Sequence, residues 1–127
     1  MSGSEISPQT AAFIRRHIRS IGLLEALLLL QADAPQPWSA ERLARELFVQ
    51  ENGALGFLSE LERSGLVKRT GDGSFLYATR NPQDDAVVQD LRDAYNERRV
   101  TVTSLIYARP SDAQTFADSF VFRKKSP

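Results

Sequence analysis

The sequence predicts a mostly α-helical fold carrying one small β-hairpin. Three observations support this. Residues 38–78, WSAERLARELFVQENGALGFLSELERSGLVKRTGDGSFLYA, read as helix, tight connection, second helix and hairpin. Residues 21–30 are dense in leucine, as in a helix buried on several sides. Val88, Leu91, Tyr95, Val102 and Leu105 recur in steps of three, four, seven and three, a nearly continuous heptad seam that predicts one long C-terminal helix.

In chain order, the pattern Ala12, Phe13, Ile14, Ile18 predicts a first helix from Pro8, with Arg15, Arg16, His17 and Arg19 facing outward. That cationic cluster suits a phosphate or an acidic partner, and equally an ordinary solvated face. The neighbouring arginines should lower the pKa of His17. Ser20 can cap the next helix, residues 21–31, where Leu23, Leu24, Leu27, Leu28 and Leu30 cover nearly the whole circumference. Glu25 interrupts this run, and about 20 apolar residues are needed to cross a bilayer, so a buried helix is expected rather than a membrane span or signal peptide. Ala34-Pro35-Gln36-Pro37 forms a stiff linker to Trp38, which should pack between the buried helix and the hairpin.

Within residues 38–78, the hydroxyl of Ser39 can accept from the free amides of the next helix, whose inward residues are Leu43, Ala44 and Leu47. A second helix is expected over 52–64, with Ala54, Leu55, Leu58 and Leu61 inward and Gly65 at its left-handed end. Leu66-Val67 and Phe75-Leu76-Tyr77 are β-prone runs around Thr70-Gly71-Asp72-Gly73. The Asp-Gly pair is a hairpin signal, because both central residues of the favoured tight turn need positive φ.

This order, with LARELF, L-x-x-L-E-x-x-G-L-V and the glycine-containing loop, resembles the winged helix-turn-helix domain of bacterial transcription regulators of the MarR-like type; the match covers residues 21–78. The resemblance implies a winged helix-turn-helix plus a long C-terminal dimerisation helix. The expected divisions are an N-terminal helical arm at 1–19, a winged-helix domain at 20–80 and a helical dimerisation extension at 81–127. It further implies double-stranded DNA as a partner, with the second helix of the motif in the major groove. Gln50, Asn52, Ser59 and Arg63 would meet bases or phosphates. Lys68, Arg69, Thr70 and Arg80 would meet phosphates at the wing, aided by the amides of Gly71 and Gly73, and Arg42 and Arg45 would grip the opposite flank.

Charge runs against the simplest version of that reading. The 16 basic and 16 acidic residues cancel, and they cancel again within 1–37, 38–80 and 81–127. A nucleic-acid binder usually carries a basic excess. Gly53, Leu55 and Gly56 stand where family members place hydroxyl, amide and arginine groups. An alternative is therefore a winged-helix adaptor that docks another protein on Leu55, Gly56 and Phe57.

Asn81 and Pro82 suit the cap and first position of the C-terminal helix, and Asp84 and Asp85 favour its positive end. Continued through to residue 107, it would reach roughly 35 Å. Its surplus face predicts a homodimer through Val88, Leu91, Tyr95, Val102 and Leu105. Val100-Thr101-Val102-Thr103 is β-branched throughout and reads as strand in isolation; the continuing apolar spacing favours helix. A short closing helix is expected over 111–119, with Phe116, Phe120 and Phe122 docking it and Arg123, Lys124 and Lys125 forming a basic tail.

No enzyme, cofactor or metal centre is expected. There is no cysteine, a single histidine, no glycine-rich phosphate loop before a helix and no serine–histidine–acid set. A cytoplasmic location follows as the default.

Overall fold

The computed structural model describes residues 6–107. Among them the order is α1 (Pro8–His17), α2 (Ile21–Ala32), α3 (Ala40–Leu47), α4 (Glu51–Arg63), β1 (Val67–Arg69), β2 (Phe75–Tyr77), α5 (Pro82–Glu97) and α6 (Arg99–Tyr107). Short polar side chains set the helix starts. Ser7, Ser20 and Ser39 accept from the amides of Thr10, Leu23 and Arg42, and Asn81 from that of Gln83. Proline stands in the first turn of α1 and of α5, where its missing N–H costs nothing.

The core forms around α2. Leu23, Leu24, Ala26, Leu27 and Leu30 are buried, while Leu28 and Leu29 are partly buried against the same cluster. On one side lie α3, α4 and β2. On the other, α5 is pinned by hydrogen bonds. Arg92 donates to Gln31 Oε1 at 2.6 Å and to the Leu28 carbonyl at 2.8 Å, and the Tyr95 hydroxyl donates to Glu25 Oε2 at 3.2 Å. The first helix is no separate arm: α1 packs on α5 and α6, buries Phe13 and Ile14, and joins α5 through the Thr10 hydroxyl, which donates to Asp90 Oδ2.

The hairpin is antiparallel, with Val67 opposite Tyr77 and Arg69 opposite Phe75. Trp38 extends it by a bridge, its amide donating to the Phe75 carbonyl at 2.6 Å and its carbonyl accepting from the Phe75 amide at 2.8 Å. The indole is buried and donates to Asp33 Oδ2, so Trp38 joins the end of α2 to the wing as expected. The Tyr77 hydroxyl donates to Asp85 Oδ1 at 2.6 Å, fixing the wing to the first turn of α5. Burial, with that carboxylate beside it, pushes the phenol's pKa well up.

Three local expectations change. Only Gly73 of the wing turn has positive φ, at 87°, while Asp72 does not. The Thr70 amide donates to the Ser74 carbonyl and the Gly73 amide to the Thr70 carbonyl, so the loop is three residues with a left-handed end rather than a two-residue turn. Asp72 Oδ1 accepts from the Ser74 amide and the Thr70 hydroxyl, which stabilises this longer form from inside. On α4, Leu55 is not inward but 41% exposed.

The third change concerns the C-terminal helix. It breaks at Arg98 (φ −136°, ψ 58°), and α6 turns back onto α5 and α1. The β-branched run is helical, as the spacing indicated. The proposed dimer seam is internal: Val88, Leu91, Tyr95 and Val102 are buried within the chain and Leu105 is half-buried. A straight continuation would have carried Val102 and Leu105 away from the body, whereas the bend packs α6 on α1 and α5. A surplus apolar seam therefore no longer calls for a second copy. The closing helix and the Phe116, Phe120 and Phe122 contacts lie outside the described residues. No described helix is long and apolar enough to cross a membrane, and no described group of acidic or histidine side chains could hold a metal ion.

His17 lies 4.9 Å from the Phe13 ring, and its pKa is lowered, first by burial and second by Arg16, with Asp84 opposing. The unfolded imidazole takes its proton near 6.5 while the folded one does so only at lower pH, so stability falls as pH drops through that window. Denaturant titrations at pH 7 and pH 5 (roughly the window's edges) should show a smaller loss for His17→Gln than for the wild type. Leu91→Ala should lower stability by about 2–5 kcal/mol. That loss should not vary with protein concentration, because the cover over Leu91 belongs to the same chain.

Candidate nucleic-acid interface

The face built by α3, α4 and the wing divides into two parts of different chemistry. Nearest the wing, an open cleft of about 480 Å³ is lined by Lys68, Arg69 and Arg80, with Glu62 as its acid. Gly65, at φ 78°, ends α4 and lets the chain turn into β1. The Arg80 side chain lies against it, and its guanidinium carbon would be 3.2 Å from any added Cβ. The cleft is locally basic although the chain is neutral.

Sequence-predicted residues differ in how free they are. Lys68 and Arg63 are exposed. Arg69 is held: it donates to both carboxylate oxygens of Glu62, at 3.1 and 3.4 Å, and lies 4.6 Å over the Phe75 ring. The Thr70 hydroxyl is engaged with Asp72 and Ser74, and the Gly73 amide with the Thr70 carbonyl, so neither is presented outward. Those same bonds, first from Thr70 and then from the Ser74 amide, hold the Asp72 carboxyl below its usual range, leaving a negative charge at the wing tip. Arg42 is also spent on the fold, stacked 3.8 Å over Trp38 and 3.3 Å from Asp33. Arg45 pairs with Glu41 across one helical turn, both largely exposed, an arrangement of little energetic weight that a phosphate can replace.

On α4, Gln50 is the N-cap without a side-chain cap bond, Asn52 is exposed, and Ser59 is half-buried one helical turn short of Arg63. Asn52, Gly56, Ser59 and Arg63 succeed one another at helical spacing along one stripe. The acids that would repel phosphate are partly neutralised from elsewhere. Arg19, from the α1–α2 connection, makes a two-pronged bond to Glu60 at 2.8 and 2.9 Å, and Arg69 covers Glu62. The Arg19–Glu60 pair spans 41 residues and has no local sequence signal.

The second part is the α3–α4 turn and the head of α4. Phe48 adopts the left-handed conformation (φ 58°, ψ 45°) and is 94% exposed; Val49, next in the chain, and Leu55 on α4 are also exposed. Phe57 does not join them. Its ring packs on Gly22 of α2, where an added Cβ would come within 2.6 Å of Cζ, so the face proposed for protein docking loses one of its three members.

No known family model matches the sequence, and no curated protein matches it. Among solved structures, the multiple antibiotic-resistance repressor (MarR) of Listeria monocytogenes 4b F2365 superposes with a TM-score of 0.53 at 12% identity, over 92% of this chain and 79% of that one. The transcriptional regulator PA3341 is 22% identical over 93% of this chain and 88% of that one, with a TM-score of 0.46. The likeness to the Listeria repressor shows that this chain has a MarR-like winged-helix fold.

The wing's shape rests on Gly73. Gly73→Ala has open space around the new methyl but forces positive φ on a residue with a side chain, so only backbone strain opposes it. It should raise amide hydrogen exchange in the wing and cost about 1–2 kcal/mol, while α2 and α5 exchange as before.

Proposed function

We propose that the protein is a winged-helix transcription regulator that binds duplex DNA with the wing-side cleft on phosphate and the Asn52–Arg63 stripe of α4 along the major groove. The observation that carries this reading is the local basic excess of Lys68, Arg69 and Arg80 over Glu62, set beside the far end of α4. The fold shared with a solved repressor supports it. Affinity from such a small basic patch is mainly electrostatic. The apolar, acidic head of α4 carries few base-reading groups, so discrimination between sequences is weak and rests on Gln50 and Asn52.

Paired subunits would double the phosphate contacts. A homodimer is part of the proposal, but its surface differs from the buried heptad seam. The α6 residues Val100, Thr101, Ser104 and Tyr107 are exposed on one uncharged face, and Val100 and Tyr107 are 78% and 58% exposed.

Fluorescence polarisation with a random-sequence duplex at low salt tests the DNA reading. Binding at micromolar protein that weakens linearly in log[salt] is expected, and its absence, or binding that ignores salt, refutes the proposal. Lys68→Ala and Arg80→Ala should each weaken binding and lower the salt slope by about one. Arg19→Ala should weaken binding by exposing the Glu60 charge, and Glu60→Gln in the same chain should restore it.

A further inference from the structure

Two ion pairs on the face built by α3, α4 and the wing are made differently, and the difference decides which arginine a phosphate can recruit. Arg45 meets Glu41 through one contact of 3.3 Å, with both side chains largely exposed. Arg69 meets Glu62 with its whole fork, Nε to Oε2 at 3.4 Å and Nη2 to Oε1 at 3.1 Å. Its guanidinium also lies 4.6 Å over the ring of Phe75, its cross-strand partner, which is fully buried and gives it a fixed platform. Exposed ion pairs are usually weak because two long side chains must be ordered to make them. Here the ring orders the arginine beforehand and the contact is two-pronged, so little is lost on forming it.

Glu62 stands in the last turn of α4 and lines the wing-side cleft with Lys68, Arg69 and Arg80. A carboxylate and a phosphate offer a guanidinium the same thing, two oxygens spaced for its parallel N–H groups. Glu62 therefore fills the fork as a nucleic-acid phosphate would. Moving the fork to an incoming phosphate would leave the Glu62 carboxylate bare in the cleft, where it repels that same anion. Lys68 and Arg80 face no such conflict, being exposed and making no ion pair with a described residue.

We propose that Glu62 is an internal substitute for phosphate that keeps Arg69 out of the interface, so that Lys68 and Arg80 alone grip the duplex in this cleft. Glu62 thereby limits the affinity, and replacing it frees a cation that Phe75 already holds in position. The restraint rests on the DNA-binding reading of the cleft, since without a duplex there is nothing to restrain.

In fluorescence polarisation with the random-sequence duplex, Glu62→Gln should tighten binding by roughly threefold or more at low salt and raise the salt slope by about one. Asp93→Asn makes the same change of net charge at an exposed position on α5 outside the cleft, and should leave both close to wild type. The second readout is the Arg69 Nε–H resonance of isotope-labelled protein, assigned by its loss in Arg69→Lys. Saturating duplex should leave that resonance near its free position in the wild type and shift it in Glu62→Gln. A wild-type resonance that moves on duplex binding, or a Glu62→Gln protein that binds no better than Asp93→Asn, overturns the restraint, while salt-dependent binding by the wild type keeps the DNA reading. The wild-type resonance decides the matter whatever Glu62→Gln does to folding. Absence of binding by both the wild type and Glu62→Gln refutes the DNA reading and the restraint with it.

Discussion

Burying α2 is the constraint on which the rest of the structure depends. Its leucines leave no polar face to present to water, so it folds only where neighbours cover it nearly all round. Each fully buried leucine contributes roughly 1.5–3 kcal/mol relative to exposure. The chain surrounds it with two units of different origin, the α3–α4–wing motif on one side and α5 on the other. The second unit is fixed by direction-specific bonds as well as apolar contact, since Arg92 takes up a carbonyl near the end of α2 and Tyr95 reaches Glu25. The motif's orientation is thereby set relative to α1, α5 and α6, and the cleft at Lys68 and Arg80 is placed on the outer surface.

The same demand for cover accounts for the bend at Arg98. An unbroken helix to Tyr107 would carry Val102 and Ile106 past the end of the core, whereas both are fully buried in the bent arrangement. The β-branched residues of α6 are compatible with that ending, because their helix propensity is modest and little helical stability is lost at the break. Continuous heptad spacing thus describes two helices that share one interior, not one helix with a face left over for a partner.

Much of the architecture was legible locally. The caps at Ser20, Ser39 and Asn81 act on amides two or three residues away, and Gly65 acts on the turn it occupies, so each is a signal contained in a short window. What escaped the sequence depended on distant residues. The bend at Arg98 follows from cover supplied by α1, and the quenching of Glu60 by Arg19 joins positions 41 residues apart. Leu55 satisfies the helical spacing of an inward residue but faces solvent, because α2 and α3 cover the neighbouring stripe of Ala54, Leu58 and Leu61. The wing turn failed differently. Asp-Gly favours a two-residue turn, but Thr70 and Asp72 together supply side-chain acceptors for the Ser74 amide, and those stabilise the three-residue loop. Among the candidate contact residues, type and position were readable, but their availability was not. Arg42, Arg69 and Thr70 have suitable chemistry and are already engaged inside the fold.

A net charge of zero says little about a surface on which charges are sorted. At physiological ionic strength, exposed charges more than about 8 Å apart scarcely sense one another. A phosphate in the wing-side cleft therefore responds to Lys68, Arg80 and the paired Arg69, not to Glu46 and Glu51 at the opposite end of α4. The internal pairs sharpen this sorting: Arg19 and Arg69 offset Glu60 and Glu62 on the wing-side half of α4, while Glu51 at its head and Glu46 at the end of α3 make no ion pair with a described residue. One helix thus presents a basic-flanked end that attracts phosphate and an acidic, apolar end that does not, so phosphate contacts gather at the wing side of α4.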